Sequence, residues 1–357
     1  MLEQIIKERG IPALPNIDNT DEKREYMKRI LAEEEYGLPV PKPEEVTYEV
    51  KELENANYMT GNATLEEVTV KGKLLGRDFS FPFKFVHPTD KKNQKVIVQI
   101  NFRYDCPDKY TPAEEIIDRG YSLAVFYYND ITTDNNDFTN GIAGILFPDG
   151  ERREGNATGK IMMWAWAASR VADYLETLDF VDMDKLGVAG HSRLGKTALV
   201  TAAYDDRFKF AHSNDSGCSG GAIHRNKRGE TVEAITRNFP FWFCPNYKKY
   251  INNEGAMEFD QHWLVAASAP RFVEIGTAVE DVWADHESEY LTCVMASEEF
   301  EKQGVVGFVH PDRYPELHEH MKDGHISYYV RPGRHFFSRY DWNKFMDFID
   351  LKIGDNK

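Results

Sequence analysis

The chain has 357 residues, of which 41% are hydrophobic and 13% aromatic, with 43 basic against 59 acidic side chains and a formal charge of −16. That length and composition can bury a large core, while the negative balance argues against nucleic acid or an anionic membrane as main partner. The four cysteines (Cys106, Cys218, Cys244, Cys293) show neither zinc spacing nor a disulfide framework, and no apolar run approaches the roughly 18 residues of a membrane span.

The first residues, MLEQIIKERGIPALPNIDNT, lack a basic region followed by an apolar core. As it stands, the sequence therefore predicts a cytoplasmic protein, or a secreted one if a leader has been removed. Residues 1–45 read as an N-terminal helical arm, with DEKREYMKRILAEEEYG as a surface helix. Pro39, Pro41 and Pro43 then impose an extended linker. From residue 46 to 357 the pattern is that of a single α/β domain. Glu45–Asn55, Ala63–Leu74 and Phe79–His87 alternate as antiparallel edge strands would. Lys95–Asn101 is nearly continuous in β-branched and apolar residues, as a strand covered on both faces should be. A loop, a short helix (AEEIIDRG) and a second buried strand (YSLAVFYYND) complete a βαβ unit. Residues 131–160 read as an irregular loop. Ile161–Leu178 is a helix whose Trp164 and Trp166 are assigned to the core.

The next strand runs into Gly190, His191, Ser192, Arg193, Leu194, Gly195 and a helix. A serine among small residues at a strand-to-helix turn meets the steric demand of a nucleophile elbow. The usual glycine two residues after the serine is here Leu194, with Gly195 one position later. Phe208–Asn214 is the following strand, and Asp215 opens a glycine-rich loop, DSGCSGGAI. An aromatic-rich insertion at about 224–260 is placed to roof the site. The strand RFVEIGT then leads to Asp281, and the strand ISYYV leads to His335 before a closing helix from Asp341 to Ile353.

An elbow serine demands an acid off a later strand and a histidine off the last one. Ser192, His335 and one of two aspartates satisfy that order. Asp281 stands where the α/β-hydrolase pattern places the acid, and Asp215 one strand earlier; the residues alone leave both open as the partner of His335. The oxyanion donors expected are the N–H of Arg193, with its guanidinium as a further donor, and a group of the Asn101–Phe102–Arg103 loop, centred on Phe102. Arg193 and Lys196 put two cations at the mouth, which suits an anionic or heavily hydroxylated acid part. The fold expected is an α/β-hydrolase: a three-layer sandwich with a mostly parallel central sheet and antiparallel N-terminal edge strands.

These residues resemble the glucuronoyl esterase family, carbohydrate esterase family 15, whose nucleophile segment has the form G-C/H-S-R-x-G-K. The resemblance covers about 95–353. It implies Ser192 as nucleophile, Arg193 in the oxyanion site, Lys196 on the hydroxyls of a uronic acid, and His335 as the base. The family's acid falls on Asp215, shorter by one methylene than the glutamate of other members. The D-x-W at Asp281–Trp283 resembles the alternative acid of bacterial members, followed by a sugar-lining tryptophan. Glu230 matches a further sugar contact, and Asn238 is the nearest match to a glutamine of the fungal sugar site. The fungal cysteine bridge falls on His191 and Phe336 and is therefore absent. The implied activity is a serine carboxylic ester hydrolase of the 4-O-methyl-glucuronoyl methylesterase type, cleaving glucuronic acid esters between xylan and lignin. It needs no metal or organic cofactor. An acetylxylan esterase or general carboxylesterase on the same frame, and a non-catalytic carbohydrate-binding protein, are the alternatives. Oligomeric state is not legible.

Overall fold

The computed structural model describes residues 1–53, 58–90 and 92–354. Two helices precede the sheet, α1 (Leu2–Arg9) and α2 (Thr20–Leu31), the second capped by the Asn19 side chain on the Glu22 N–H. One wide π-type turn, Ala32–Tyr36, extends α2. The expected surface helix is only half exposed: Met27, Ile30, Leu31 and Tyr36 are buried, and Lys23 lies wholly inside, 2.5 Å from the equally buried Glu299. The arm thus shares the main hydrophobic cluster of the chain.

The sheet begins with β1 (Glu45–Glu52), β2 (Ala63–Leu74) and β3 (Arg77–Pro88), all antiparallel to their neighbours. The last part of the expected first strand, residues 54 and 55, lies outside the described residues. Alternation puts Phe79, Phe81, Phe83 and Phe85 on one buried face of β3, where they meet Trp166 and Tyr174 at ring distances of 5.1–6.5 Å. Next come β4 (Gln94–Asn101), α3 (Ala113–Asp118) and β5 (Tyr121–Tyr127). The stretch expected to be irregular holds a short helix, α4 (Gly141–Leu146); its GIAGIL sequence lacks the length for a readable period. Trp164 and Trp166 are buried on α5 (Lys160–Leu175).

The second half alternates β6 (Val181–His191), α6 (Arg193–Tyr204), β7 (Phe210–Asn214), α7 (Val232–Asn238), α8 (His262–Ala266), β8 (Phe272–Ala278) and α9 (His286–Lys302). It closes with the two-residue β9 (His320–Met321), β10 (Ile326–Arg331) and α10 (Arg339–Ile353). Strand order is β1-β2-β3-β5-β4-β6-β7-β8-β10-β9. The run from β5 to β10 is parallel throughout. Helices α3 and α10 cover one face with Ile116, Trp342 and Phe345, and α5, α6 and α9 cover the other. This is the three-layer α/β-hydrolase arrangement that the sequence predicts. In such a sheet the carboxyl ends of neighbouring parallel strands bring their loops to one edge. The ends of β4, β6, β7, β8 and β10 therefore converge, and every candidate residue but Asn238 lies on or just after one of those loops.

Candidate active site

Ser192 sits between β6 and α6 with φ 57° and ψ −126°, a conformation that costs a non-glycine residue energy and persists only where the surroundings fix it. Two glycines fix it here. A Cβ at Gly190 would stand 2.1 Å from the Leu194 carbonyl oxygen, and one at Gly195 would crowd the Ser213–Ser216 segment at 3.0–3.2 Å. The displaced glycine of the motif is thus the one that lets α6 approach the end of β7. The Ser192 N–H is held by the Asn214 carbonyl at 2.9 Å. Arg193 opens α6, so its N–H has no partner within the helix and faces the turn.

His335 Nδ1 lies 2.5 Å from Asp281 Oδ2, and Asp281 is buried while His335 is 43% exposed. The second Asp281 oxygen accepts the Ala284 N–H at 3.2 Å. Burial raises the Asp281 carboxyl, but the His335 hydrogen bond and charge outweigh it and hold the group below its ordinary value. The imidazole and the Ser192 side chain line one cavity of about 320 Å³. They are not hydrogen-bonded to each other here; such contacts commonly tighten only around a substrate.

Asp215 comes close without pairing to the histidine. Its carboxylate and that of Asp281 lie within 4.8 Å of each other and of a His335 ring nitrogen. Its oxygens are taken elsewhere: the Ala278 N–H donates to one at 2.7 Å, and Arg331 donates to the other at 3.2 Å. Arg331 also donates to the carbonyls of Pro332, Arg334 and Phe336 and, at 2.6 Å, to Asp341. Asp215 therefore anchors the arginine that shapes the His335 loop. The same three side chains are the described group with metal-ligand spacing. Its local charge is met by Arg331, and His335 Nδ1 is committed to Asp281, which suits proton transfer better than cation binding.

The Arg193 guanidinium is fixed from several sides. Asp134 accepts from Nη1, and Asp134 also accepts from the Trp242 indole N–H at 2.6 Å and the Tyr128 hydroxyl at 2.8 Å. The rings of Trp242, Phe239 and Phe102 lie 4.6, 5.3 and 5.5 Å from the guanidinium carbon. Its Nε is buried and without a partner. The Phe102 N–H, expected as an oxyanion donor, instead donates to the Asn101 side chain at 2.8 Å. That expectation is corrected: an asparagine one residue earlier closes a local ring and takes the donor.

The fungal glucuronyl esterase family model matches residues 70–304 of this chain. The chain belongs to the glucuronyl esterase family. Carbohydrate esterase MZ0003, from an unknown prokaryotic organism, is 40% identical over 238 residues, which are 66% of this chain and 55% of that protein. A 4-O-methyl-glucuronoyl methylesterase of Podospora anserina is 31% identical over 161 residues, 42% of this chain and 34% of that one. The matched region thus spans about half or less of these curated relatives. Two solved structures align over nearly the whole fold. A glucuronoyl esterase from Solibacter usitatus is 31% identical with a TM-score of 0.85, covering 96% of this chain and 97% of that one. A promiscuous CE15 esterase from a marine bacterial metagenome is 29% identical with a TM-score of 0.82, covering 92% and 91%.

The remaining candidates sit on the β7 side of Ser192. Lys196 is buried; its ammonium donates to the carbonyls of Ser216 and Cys218, the latter at 2.6 Å, and stands 3.8 Å from Glu230. Burial lowers its pKa, with Glu230 opposing. Glu230 is buried and donates its N–H to the Trp283 carbonyl at 3.0 Å, while Trp283 is 52% exposed. These three form one contiguous group. Asn238 is the exposed last residue of α7, and it is the following Phe239 that reaches Arg193. The sequence reading missed Asp134, Arg331 and Asp341. Arg331 at the end of the last strand was the one legible signal, since a charged residue where a buried strand ends requires a buried counter-charge.

Proposed function

We propose that this protein is a serine carboxylic ester hydrolase that cleaves esters of glucuronic acid. The observation that carries the reading is the 2.5 Å hydrogen bond between His335 and the buried Asp281 beside the strained Ser192 turn. Asp281 holds His335 with its proton on Nδ1, so that Nε2 is free to act as base toward the serine. Ser192 Oγ attacks the ester carbonyl and gives its proton to His335. The tetrahedral oxyanion is met by the Arg193 N–H and by its unpartnered Nε, both held in place before the charge develops. His335 then protonates the leaving alcohol, and a water activated by the same ring releases the acid. Asp215 acts at one remove, through Arg331 and the His335 loop. Lys196, Glu230 and Trp283 supply a cation, a carboxylate and an exposed ring on the acyl side, a set that suits a hydroxylated uronic acid. The names of the curated relatives, 4-O-methyl-glucuronoyl methylesterases among them, support the same substrate class.

The test is hydrolysis of benzyl glucuronate beside 4-nitrophenyl acetate by wild type and Ser192→Ala. Glucuronate turnover that disappears with Ser192 is the expected result. Turnover of acetate alone leaves a general carboxylesterase, and turnover that survives Ser192→Ala removes the site.

A further inference from the structure

We propose that Tyr36 and Tyr247 are positioning residues for Lys196: their hydroxyls grip Ser219 and so set where the glycine-rich loop after β7 presents that lysine to the acid part of the ester. This rests on the reading of Lys196 as a contact of that acid part. The Lys196 ammonium has three N–H donors. Two are taken by the carbonyls of Ser216 and Cys218, and Glu230 stands 3.8 Å away. The direction of the third donor is therefore fixed by where the two carbonyls lie, and both belong to the loop. The approach is close: a Cβ at Gly220 would stand 2.8 Å from Lys196 Cγ. A displaced loop re-aims the lysine.

The loop does not hold itself. It carries Gly217, Gly220 and Gly221, and glycine leaves a backbone its greatest freedom. Within it Ser219 has φ 57°, a conformation that a non-glycine residue keeps only when its surroundings impose it. Glu289 holds one side of the loop through the Gly217 N–H at 2.8 Å. The other side is held at the two oxygens of Ser219. The Tyr36 hydroxyl donates to the Ser219 carbonyl at 3.0 Å, and the Tyr247 hydroxyl lies 2.5 Å from Oγ. Both tyrosines are fully buried, so losing either hydroxyl leaves a Ser219 oxygen short of a partner.

Each hydroxyl is itself aimed from behind. Tyr36 ends the π-type turn of the N-terminal arm, a geometry that recurs at functional sites. The turn is locked to two distant segments: the Cys244 N–H donates to the Glu35 carbonyl at 2.8 Å, and the Gly159 N–H to the Tyr36 carbonyl at 2.9 Å. On the other branch, His224 Nδ1 donates to Asp260 at 2.9 Å and Nε2 to the Tyr247 hydroxyl at 2.9 Å. Burial opposes charge on this ring, but Asp260 outweighs it and raises its pKa well above the ordinary value. A ring donating from both nitrogens makes the Tyr247 oxygen an acceptor, so the Tyr247 O–H is left for Ser219 Oγ. A buried imidazolium–carboxylate pair adds little stability. What this one supplies is direction, passed through Tyr247 to a strained serine.

The experiment uses the full chain as Tyr36→Phe, Tyr247→Phe and the double variant, each of which keeps the rings and deletes only hydroxyls. Tyr250→Phe is the control, because Tyr250 bonds Glu34 of the same turn, at 2.8 Å, rather than Ser219. KM for benzyl glucuronate is expected to rise about fivefold in each single variant and about tenfold or more in the double one, with kcat/KM for 4-nitrophenyl acetate kept within about twofold. Tyr250→Phe should match wild type on both esters. An equal loss on both esters, or a glucuronate KM within about twofold of wild type in the double variant, overturns the proposal. Hydrogen exchange gives a readout independent of turnover. The N–H groups of Gly220, Gly221 and Ala222 close the loop on Ser216 and Gly217, and in the double variant they should exchange about tenfold faster while β6 and β7 do not change. Equal exchange overturns the proposal. Failure of the wild type on every glucuronate would sink the acid-part reading instead, and faster exchange would still show that the two hydroxyls hold the loop under Lys196.

Discussion

Asp281 is hydrogen-bonded to His335 at 2.5 Å, while Asp215, the other carboxylate beside that ring, is bonded to Arg331. The two aspartates thus do different work. One fixes the imidazole itself; the other holds the arginine that gathers the backbone carbonyls of the His335 loop.

Replacement should separate them. Asp281→Asn removes the charge that orients the ring and stabilises the imidazolium, and kcat is expected to fall by about 10⁴ with KM little moved. Asp215→Asn leaves that bond intact but leaves Arg331 less compensated. Its larger effect should be on stability, with a modest loss of kcat. Steady-state kinetics and thermal melts of both variants check the assignment, and a greater kcat loss for Asp215→Asn would reverse it.

The Arg193 cage makes a second prediction. If its N–H and Nε meet the oxyanion, Arg193→Ala should lower kcat by about 10²–10³ with little change in KM. Asp134→Asn keeps the shape but weakens the hold on the guanidinium, and should cost roughly tenfold, again in kcat. A loss confined to KM in either variant would make Arg193 a ground-state binding residue instead.

The serine, the histidine and the fold were legible because each follows from chain order. A strand–turn–helix with Gly190, and a histidine between the last strand and the last helix, are local facts. The choice between Asp215 and Asp281 was not local. It depends on Arg331, which reaches Asp215 because β8 lies between β7 and β10 in the sheet. The Arg193 partners come from the segment after β4, the 131–160 stretch and the insertion, far apart in sequence. Lys23 shows the same limit: a lysine in a charged helix reads as solvated until Glu299 is seen against it. The Phe102 donor failed for a local reason, since an asparagine side chain can close on the next N–H at no cost in sequence pattern.

Lys196 is a structural residue as well as a candidate for substrate contact, and a single replacement confounds the two. Lys196→Met strips two carbonyls of their donor and leaves Glu230 buried without its cation. The expected cost is about 3 kcal/mol, read as a lowered Tm. Adding Glu230→Gln should restore part of the stability. If the pair contacts the uronic acid, the ratio of glucuronate to acetate turnover stays depressed in the double variant. Full recovery of that ratio along with Tm would assign both residues to the fold alone.

Glu289 provides a pH test at a buried carboxyl behind the site. It is fully buried on α9 and accepts the Gly217 N–H at 2.8 Å, bracing the loop that follows Asp215. Burial pushes its carboxyl from 4.5 up to about 8. The sign follows from proton counting. Between about 4.5 and about 8 the folded chain keeps this proton while the unfolded chain loses it, so the folded state binds more protons and stability declines as pH rises. Below that window both states are protonated, and above it both are ionised. At about 1.4 kcal/mol per unit, the contribution across the window is a few kcal/mol. Glu289→Gln keeps an acceptor for Gly217 and carries no charge, so it should raise Tm at pH 8 and flatten the decline between pH 5 and pH 8. Melting curves of the two proteins across that range decide it: parallel curves would mean that Glu289 titrates as an ordinary carboxylate and that its burial is compensated elsewhere.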